Sequence, residues 1–400
     1  MSPSSQNRAE KPKPPSAYVT PAPPRRMKLS GPTIILLSFG MPSVLLVQVS
    51  SQTVPGIGSN AAVAPMRSAG TKAIMEAIAK NDQTAAFRAA TEGHNTGDSA
   101  CTYLLGQMHE LGRGAPAVDL KQAFSLYEEA SKAGVPEALS AVARCLEAGI
   151  GTAVDLPKSM FYWQTAAEAN DPPALGRMGQ AELEGNLRPA NEVAARPWLE
   201  KAASAMDPLG LWLLSRCYDN GLAGLTPSAE KAASLCSQAA FNGQVEAMHR
   251  MGELYSLGRG LPGDLVAATG WYRLAADHGH LPALASLALC YLNGTGCRQN
   301  DRIAFEYAAA AAKAGHPRSQ YLLGRIFDEG LGVPADAVTG LVYHLRAMKN
   351  GVAEARKASE RLKANLKPED IQKAEMLAIR SDFHAEIYQK SKKSRNNVQN

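Results

Sequence analysis

The stretch from Ala247 to Gly279 reads AMHRMGELYSLGRGLPGDLVAATGWYRLAADHG. Apolar residues recur in both of its halves at steps of three and four, as in the run from Ala268 to Ala275. That spacing predicts amphipathic helices rather than strands. A glycine, Gly258, separates the halves and another glycine closes the stretch. The unit is therefore predicted to be a helix, a glycine turn and a second helix.

This unit recurs along the chain at an almost constant interval. The leading glycines are 36 or 37 residues apart, at Gly112, Gly149, Gly185, Gly221, Gly258, Gly294 and Gly330. A second landmark keeps the same step, at Gly134, Asn170, Met206, Gly243, Gly279, Gly315 and Gly351. Glycine adopts a positive φ without a Cβ clash, so each landmark predicts the end of a helix. We expect less regular turns where Asn170 and Met206 replace glycine.

The repeated motif resembles that of a known family. The pattern Ala-x-x-x-Leu-Gly-x-x-Tyr-x-x-Gly-x-Gly, followed by Ala-x-x-Trp-Tyr-x-x-Ala-Ala-x-x-Gly, is similar to the Sel-like repeat family of tetratricopeptide-like α-solenoids. The clearest copies are Ala247–Gly279 and Ser319–Gly351. The resemblance implies an all-α, right-handed α-solenoid of about seven full helix-turn-helix repeats. It covers residues 70–365, with degenerate pairs at both ends as caps.

The composition changes outside the array. Residues 1–30 form a Pro-rich basic leader, predicted to be disordered, and residues 52–69 form a flexible linker. Residues 366–389 are predicted to be a C-terminal capping helix, followed by a basic disordered tail at 390–400. The two tails carry more than the net charge of +5, because residues 31–389 are net negative. A nucleic-acid surface needs basic residues on the fold itself, so we expect no nucleic-acid partner.

An apolar segment at residues 31–51 contains the run IILLSFGMPSVLLVQV, from Ile34 to Val49. Its length falls short of the roughly 20 residues of a spanning helix and fits a secretory signal better. Met27 is an alternative start that would shorten the preceding basic region. The segment predicts a periplasmic or secreted bacterial protein. An inner-membrane anchor, packing on the solenoid and a cytoplasmic location remain alternatives.

In tetratricopeptide-like arrays the first helices line the concave face, and the resemblance carries two rows of residues to that face. We name each row after its position in the predicted first helices, counted from the start of the helix. The fifth-position row holds Tyr103, Ser140, Gly176, Trp212, His249, Ala285 and Tyr321. One turn later, the ninth-position row holds Gln107, Arg144, Gln180, Arg216, Glu253, Leu289 and Arg325. Aromatic residues and arginine dominate interface energetics. The predicted partner-binding residues are therefore Tyr103, Arg144, Trp212, Arg216, His249, Glu253, Tyr321 and Arg325.

One alternative to this binding surface stays open. The rows are also compatible with ordinary helix surface, its arginines partly paired with Glu110, Glu147, Asp219 and Asp328. Trp212 is the tryptophan assigned to the binding face. The other three, at positions 163, 198 and 271, lie on second helices and are predicted to be core residues.

The sequence offers no catalytic, cofactor or metal site. Cys145, Cys217 and Cys290 occupy equivalent slots and are predicted to fill small core spaces, with a Cys217–Cys236 bridge as a weak alternative. His280 and His316 lie at successive junctions between repeats and are expected to be exposed turn residues. The letters of a dinucleotide fingerprint at Gly258 follow from the repeat turn and lack a preceding strand.

The function predicted from these features is a non-enzymatic scaffold or adaptor that binds a protein or peptide on the concave face of the solenoid, in the bacterial envelope. The alternatives are a secreted effector or host-interaction protein, a membrane-tethered regulatory adaptor and, least favoured, a hydrolase of the type suggested for cysteine-rich relatives.

Overall fold

A computed structural model of the chain describes residues 68–187 and 189–380. Every regular element within these ranges is an α-helix, which confirms the all-α prediction. The leader at 1–30, the apolar segment at 31–51, most of the linker and the basic tail at 390–400 lie outside the described residues. No helix of the described ranges is long and apolar enough to cross a membrane.

Eighteen helices follow one another in these ranges. They are α1 (Ala69–Ala79), α2 (Gln83–Asn95), α3 (Ser99–Leu111), α4 (Leu120–Lys132), α5 (Pro136–Ala148), α6 (Leu156–Glu168), α7 (Pro172–Glu184), α8 (Glu192–Ser204), α9 (Pro208–Asn220), α10 (Ala229–Phe241), α11 (Val245–Leu257), α12 (Leu265–Asp277), α13 (Leu281–Asn293), α14 (Asp301–Lys313), α15 (Pro317–Glu329), α16 (Ala337–Lys349), α17 (Ala353–Asn365) and α18 (Pro368–Ile379).

The helices pair into repeats. The first helices of the seven repeats are the odd-numbered ones from α3 to α15, and the second helices are the even-numbered ones from α4 to α16. From α1 to α17, each helix packs against its neighbours along the chain. The pair α1–α2 precedes the repeats, and α17 extends them at the other end. Helix α18 turns back and packs on α16, with Ala374 fully buried in the contact. The predicted cap beyond residue 380 lies outside the described residues.

Consecutive first helices also contact each other, as α1 and α3, α7 and α9, and α13 and α15 do. The layers of a curved stack are closest together on the inside of the curve. The first helices therefore form the inner face, and the second helices form the outer face.

The turns within the repeats are more regular than expected. Each first helix of the seven repeats ends at a glycine in the left-handed region, such as Gly258 with φ 63°. After the second helices, Asn170 and Met206 adopt the same conformation as the glycines, with φ 60° and 59°. The expectation of irregular turns at these two residues was wrong. The two hydrogen bonds that close each turn override the local preference of a side chain for negative φ.

The second glycine of the turn makes the contact between repeats. A Cβ on Gly151 would lie 2.0 Å from the Leu120 carbonyl oxygen, and a Cβ on Gly296 would lie 1.9 Å from the Leu265 carbonyl oxygen. Leu120 and Leu265 each begin the second helix of the preceding repeat. Only glycine combines this approach with the positive φ of the turn.

Within a repeat, the two helices meet at the eighth residue of each. The first helix carries a small residue there, for example Gly106 or Gly324. The second helix places a fully buried side chain against it, Tyr127 on Gly106 and His344 on Gly324. The eighth position of the second helix is buried in all seven repeats, with Tyr127, Trp163, Leu199, Cys236, Tyr272, Ala308 and His344. A small residue facing a large one lets the helices approach closely without a void.

The core prediction for the tryptophans was correct only for Trp163, which is buried and donates a hydrogen bond from its indole nitrogen to Glu147 at 3.0 Å. Trp198 and Trp271 are half-buried because they occupy the seventh position, one step towards the outer face. Trp271 meets the exposed ring of Phe241 edge-on, with the ring centroids 5.5 Å apart.

Cysteine burial was predicted correctly. Cys145, Cys217 and Cys290 are buried in the helix interfaces, and burial raises the pKa of Cys145 and of Cys217 to about 11. Cys217 and Cys236 are both free thiols, so the alternative bridge between them is not formed.

Candidate partner-binding surface

The fifth-position row is the seam between neighbouring repeats. Ser140, Gly176 and His249 each contact the residue that caps the first helix of the next repeat. Ser140 donates a hydrogen bond to Asp171, the N-cap of α7. A Cβ on Gly176 would lie 2.1 Å from the carboxylate of Asp207, the N-cap of α9. Ser140 and Gly176 are therefore small because the cap residue of the next repeat packs against them.

The aromatic residues Tyr103 and Tyr321 contact the second helix of their own repeat. The Tyr103 ring lies 5.7 Å from that of Tyr127, and its hydroxyl accepts a hydrogen bond from Gln107 at 2.7 Å. The Tyr321 ring lies 5.4 Å from that of His344. Trp212 packs against the apolar clusters on both sides of its helix. Sequence reasoning assigned Trp212 to a free groove, but its half-buried ring also joins two repeats.

His249 is packed among polar rings rather than displayed to solvent. Its ring lies 4.9 Å from that of His280 and 5.4 Å from that of Tyr272, and its Nε2 is 3.2 Å from the Ser286 hydroxyl. Burial lowers the pKa of His249 to about 4, against the opposing pull of Glu253. The neutral imidazole is therefore the form that this seam accommodates.

The expectation that His280 and His316 are exposed turn residues was wrong. Each caps a first helix: His280 Nδ1 accepts from the Ala283 N–H and His316 Nδ1 accepts from the Ser319 N–H, both at 3.3 Å. Burial lowers the pKa of both histidines. A neutral imidazole is required to accept, because a protonated ring would place a positive charge at the positive end of the helix.

Burial shifts the pKa values of the two acidic cap residues upwards, whereas it lowers those of the histidine caps. Burial raises the pKa of Asp171 to about 7, although its hydrogen bond from Ser140 opposes the shift. Burial likewise raises the pKa of Asp207 to about 6. Both side chains cap helices through backbone N–H groups, at Ala174 and Gly210 respectively.

Ion pairs between consecutive first helices form a ladder, and Arg144 and Arg216 of the ninth-position row take part in it. Arg144 binds Glu110 of the preceding repeat through two hydrogen bonds of 2.7 Å. Arg216 reaches Glu184 of the preceding repeat at 3.2 Å. Arg177 pairs with Glu147, Arg250 with Asp219 and Arg361 with Asp328 in the same manner. The alternative of an internally paired surface is thus realised for Arg144 and Arg216.

Glu110 accepts three hydrogen bonds within the ladder. Burial works against its ionisation, but hydrogen bonds from Arg144 and from the Tyr127 hydroxyl lower its pKa. The same pairing raises the pKa of Arg144 against the effect of burial. Arg144 therefore joins two neighbouring repeats.

The ladder is interrupted at α13, whose sequence LPALASLALCYLN contains no charged residue. No ion pair can therefore join α13 to α11 or to α15. Leu289 stands at the ninth position, where other first helices carry Arg144 or Arg216, and is 39% exposed. Leu257 stands where α7 carries Glu184, and is 71% exposed. Sequence reasoning placed Leu289 in its row but missed the interruption, whose signal was the absence of charged residues from one first helix.

The remaining predicted binding residues flank this interruption. Arg325 pairs with Glu329 on its own helix at 3.0 Å, and Glu253 pairs with Arg250 on its own helix at 2.7 Å. Neither Arg325 nor Glu253 reaches a neighbouring first helix through these bonds. Among the described residues, no cluster of three or more His, Cys, Asp or Glu is arranged to hold a metal ion.

The repeats were compared with known proteins. A family model described as Sel1 repeat matches residues 99–135, 136–171, 172–205, 208–243, 245–280, 281–316 and 317–352. The chain belongs to the Sel1 repeat family. Each match spans one first helix and one second helix, so the family unit coincides with the structural repeat.

Several curated proteins are similar to this Sel1 repeat chain. Chitin synthase regulatory factor 3 of Schizosaccharomyces pombe is 31% identical over 268 residues, which are 64% of this chain and 28% of that protein. Chitin synthase regulator SKT5 of Saccharomyces cerevisiae is 30% identical over 247 residues, 59% of this chain and 35% of that protein. An uncharacterised protein of Neisseria meningitidis, NMB1327, is 28% identical over 267 residues, 67% of this chain and 53% of that protein. The chain matches about half or less of each relative.

Two solved structures share the fold. The protective antigen c5321 of uropathogenic Escherichia coli has a TM-score of 0.63 and 23% identity, over 78% of this chain and 67% of that one. A Sel1 repeat protein of Oxalobacter formigenes has a TM-score of 0.50 and 23% identity, over 80% of this chain and 98% of that one. Similarity at this level concerns the fold alone.

Proposed function

We propose that this chain is a non-enzymatic scaffold or adaptor that holds a protein partner on its inner face. The observation that carries the proposal is the side-by-side placement of seven first helices, which together form one extended surface. Stacked repeats offer such a surface at low cost, because each repeat is stabilised by its neighbours. The names of the fungal relatives, regulators of chitin synthase, support a role that acts through another protein.

The experiment is site-specific photo-crosslinking of the full chain in its source cells. A photoreactive residue replaces Gln180 or Asn293 on first helices, or Phe161 or Arg273 on second helices. The proposal predicts discrete adducts with the same protein from the inner positions and none from the outer positions. Adducts from the outer positions alone would contradict it. Turnover of a small substrate by the purified chain, with no adduct from any position, would favour an enzyme instead.

We further propose that residues 31–51 direct export or membrane anchoring, which places the array on the far side of the membrane. The support is the uncharged run from Ile34 to Val49 after a basic stretch. An alkaline phosphatase fusion after residue 70, with N-terminal sequencing of the mature chain, tests this. An active fusion is expected. An inactive fusion with an intact N-terminus would contradict export.

A further inference from the structure

We propose that His249, His280 and His316, which we call the histidine cluster, form an acid-sensitive joint at which protonation loosens the stacking of repeats 5, 6 and 7. These repeats begin with α11, α13 and α15. The joint operates in the free chain, so it goes beyond the proposed function and does not depend on a partner. The joints from α5 to α9 respond to acid in the opposite direction, because aspartates cap α7 and α9.

The first contact of the cluster crosses from α11 to α13. The His249 and His280 rings lie 4.9 Å apart, centroid to centroid, and the His249 Nε2 is 3.2 Å from the Ser286 hydroxyl of α13. Both rings are half-buried. Protonation of both rings places two like charges at this contact, in surroundings that screen them less than water does. The repulsion therefore acts directly on the packing of one first helix against the next.

Two rings of the cluster also cap helices. His280 Nδ1 accepts a hydrogen bond from the backbone of Ala283 in α13, and His316 Nδ1 accepts one from the backbone of Ser319 in α15. A protonated imidazole donates from both nitrogens and accepts at neither. Acid therefore removes the cap of each helix and places a positive charge at its positive end. The start of α13 and the start of α15 are weakened by the same event.

Charged neighbours act on the cluster in both directions. Two acids of α11 favour protonation, and two arginines, of α11 and α15, oppose it: Glu246, Glu253, Arg250 and Arg318. Tyr272 of α12 faces His249 and stays neutral, because burial raises the pKa of its hydroxyl to about 12. Burial outweighs the acids, so the pKa values of all three histidines lie below the unfolded value of about 6.5. The stability that the neutral rings contribute is present above pH 6.5 and is lost as the pH falls below it.

The equivalent joints of the N-terminal half carry aspartate caps. Asp171 accepts from Ser140 of the preceding first helix, and Asp207 lies against Gly176 of the preceding first helix. Burial raises the pKa of Asp171 to about 7 and that of Asp207 to about 6. Their contribution to stability is present at low pH and is lost as the pH rises through these values. A protonated carboxyl also keeps an oxygen that accepts from the helix. A falling pH therefore stabilises these joints and destabilises those of the cluster.

The opposite responses make the loosening local. The stability of a repeat array is approximately a sum of terms for single repeats and for neighbouring pairs. A change at the joints of α11, α13 and α15 therefore increases the opening of these helices without unfolding the rest of the array. In acid, the C-terminal part of the inner face loosens while the part formed by α5, α7 and α9 stays packed.

Amide hydrogen exchange of the full chain at pH 7 and pH 5 tests the joint. Protection factors are compared, because they remove the effect of pH on the exchange chemistry itself. The triple variant carries His249→Gln, His280→Asn and His316→Asn, in which asparagine keeps a capping oxygen that does not titrate. One control, His278→Gln, removes an exposed histidine beside the cluster, and a second, His344→Leu, removes a buried histidine of repeat 7. Circular dichroism at pH 7 checks that each variant is folded.

In the wild type, protection in α11 and α13 should fall about fivefold or more between pH 7 and pH 5, and protection in α7 and α9 should stay equal or rise. The triple variant should lose this fall. His280→Asn alone, the milder change, should lose part of it. Both controls should keep the fall in α11 and α13, although His344→Leu should reduce the fall in α15, where the buried ring adds its own response to acid.

A fall of the same size in α7 and α9 would show a response of the whole fold and would overturn the proposal. The absence of a fall in the wild type, or a fall that persists unchanged in the triple variant and in His280→Asn, would overturn it as well. Each of these results leaves the scaffold proposal standing, because no partner is present in the experiment.

Discussion

At the scale of single residues, the repeat register explains side chains that look anomalous on their own. His344 is fully buried, and neither ring nitrogen has a hydrogen-bond partner among the described residues. It stands at the eighth position of its helix, where Tyr127 and Leu199 fill the same space in other repeats. Because polar and apolar side chains both fill this position, it requires a large side chain and not a polar one. Burial lowers the pKa of His344 to about 4, with Arg361 and Arg325 acting in the same direction and Glu329 against it.

This burial predicts acid sensitivity. The folded-state pKa of His344 lies below the value of about 6.5 in the unfolded chain. The neutral ring therefore contributes stability that is present above pH 6.5 and is lost as the pH falls towards 4. His344→Leu should reduce the loss of unfolding free energy between pH 7 and 4.5 by on the order of 2 kcal/mol. Urea unfolding at both pH values measures it.

The matched control is His278→Gln, which removes an exposed histidine side chain without disturbing the core. The comparison with the wild type isolates His344, because other buried groups also make the stability depend on pH, in both directions. His249 adds to the acid sensitivity, whereas Asp171 and Asp207, with raised pKa values, lose stability as the pH rises through about 6 to 7. An unchanged dependence in His344→Leu would contradict the burial of a neutral imidazole.

Met206 offers a second prediction. It holds a positive φ of 59°, and its side chain is exposed, so no burial compensates for the backbone strain. A left-handed conformation costs a non-glycine residue about 1–2 kcal/mol. Met206→Gly should raise the free energy of unfolding by about 1 kcal/mol after the greater entropy of glycine in the unfolded chain is counted. Asn170→Gly should gain less, because asparagine tolerates this region. Equal or no gains would contradict the account.

At the scale of elements, the joint between repeats depends on two kinds of glycine. Gly279 has a positive φ and open space around it, so it serves the turn alone. Gly296 has a similar φ and lies against the carbonyl that begins α12. Glycine therefore performs two different physical tasks in the two turns of the repeat.

Alanine substitution separates these tasks. Gly279→Ala should cost about 1–2 kcal/mol, the strain of a left-handed alanine. Gly296→Ala should cost clearly more, because the new methyl group also forces repeats 5 and 6 apart. Chemical denaturation compares the two. Equal costs would show that the close approach to Leu265 is not a determinant of stacking.

The elements were predictable where a local rule decides them. The glycines and the apolar steps located the helices, because each acts within a few residues of itself. The binding row was only partly predictable, because the fate of Arg144 depends on Glu110, one repeat away. Ser140 and Asp171 meet across 31 residues. Nothing in the spacing of one helix says which of its faces the next repeat covers, so the seam and the interruption of the ion-pair ladder at α13 required the structure.

At the scale of the whole molecule, the array is stabilised by contacts between neighbours, and its ends need a cover. Helix α18 provides the cover at one end. Ala374 is buried among residues of α15 and α16, and Arg346 donates a hydrogen bond to the Ala378 carbonyl at 3.1 Å. The apolar face of the last repeat is thereby withdrawn from water.

Deleting α18 should destabilise the array locally. In a chain ending at Asn365, amide hydrogen exchange should accelerate in α15, α16 and α17 and stay unchanged in α3 to α8, because stability in repeat arrays propagates through neighbours. The matched control is a chain ending at Arg380, which keeps α18. Uniform acceleration across all helices would contradict the nearest-neighbour account.

The central claim is that the inner face of this Sel1 repeat protein binds a protein partner. Hydrogen exchange of the full chain, alone and saturated with the protein that crosslinks to it, tests the claim most directly. The account predicts slower exchange in the first helices, with the second helices α6, α10 and α12 unchanged. Protection confined to the second helices, or none at saturation, would contradict it.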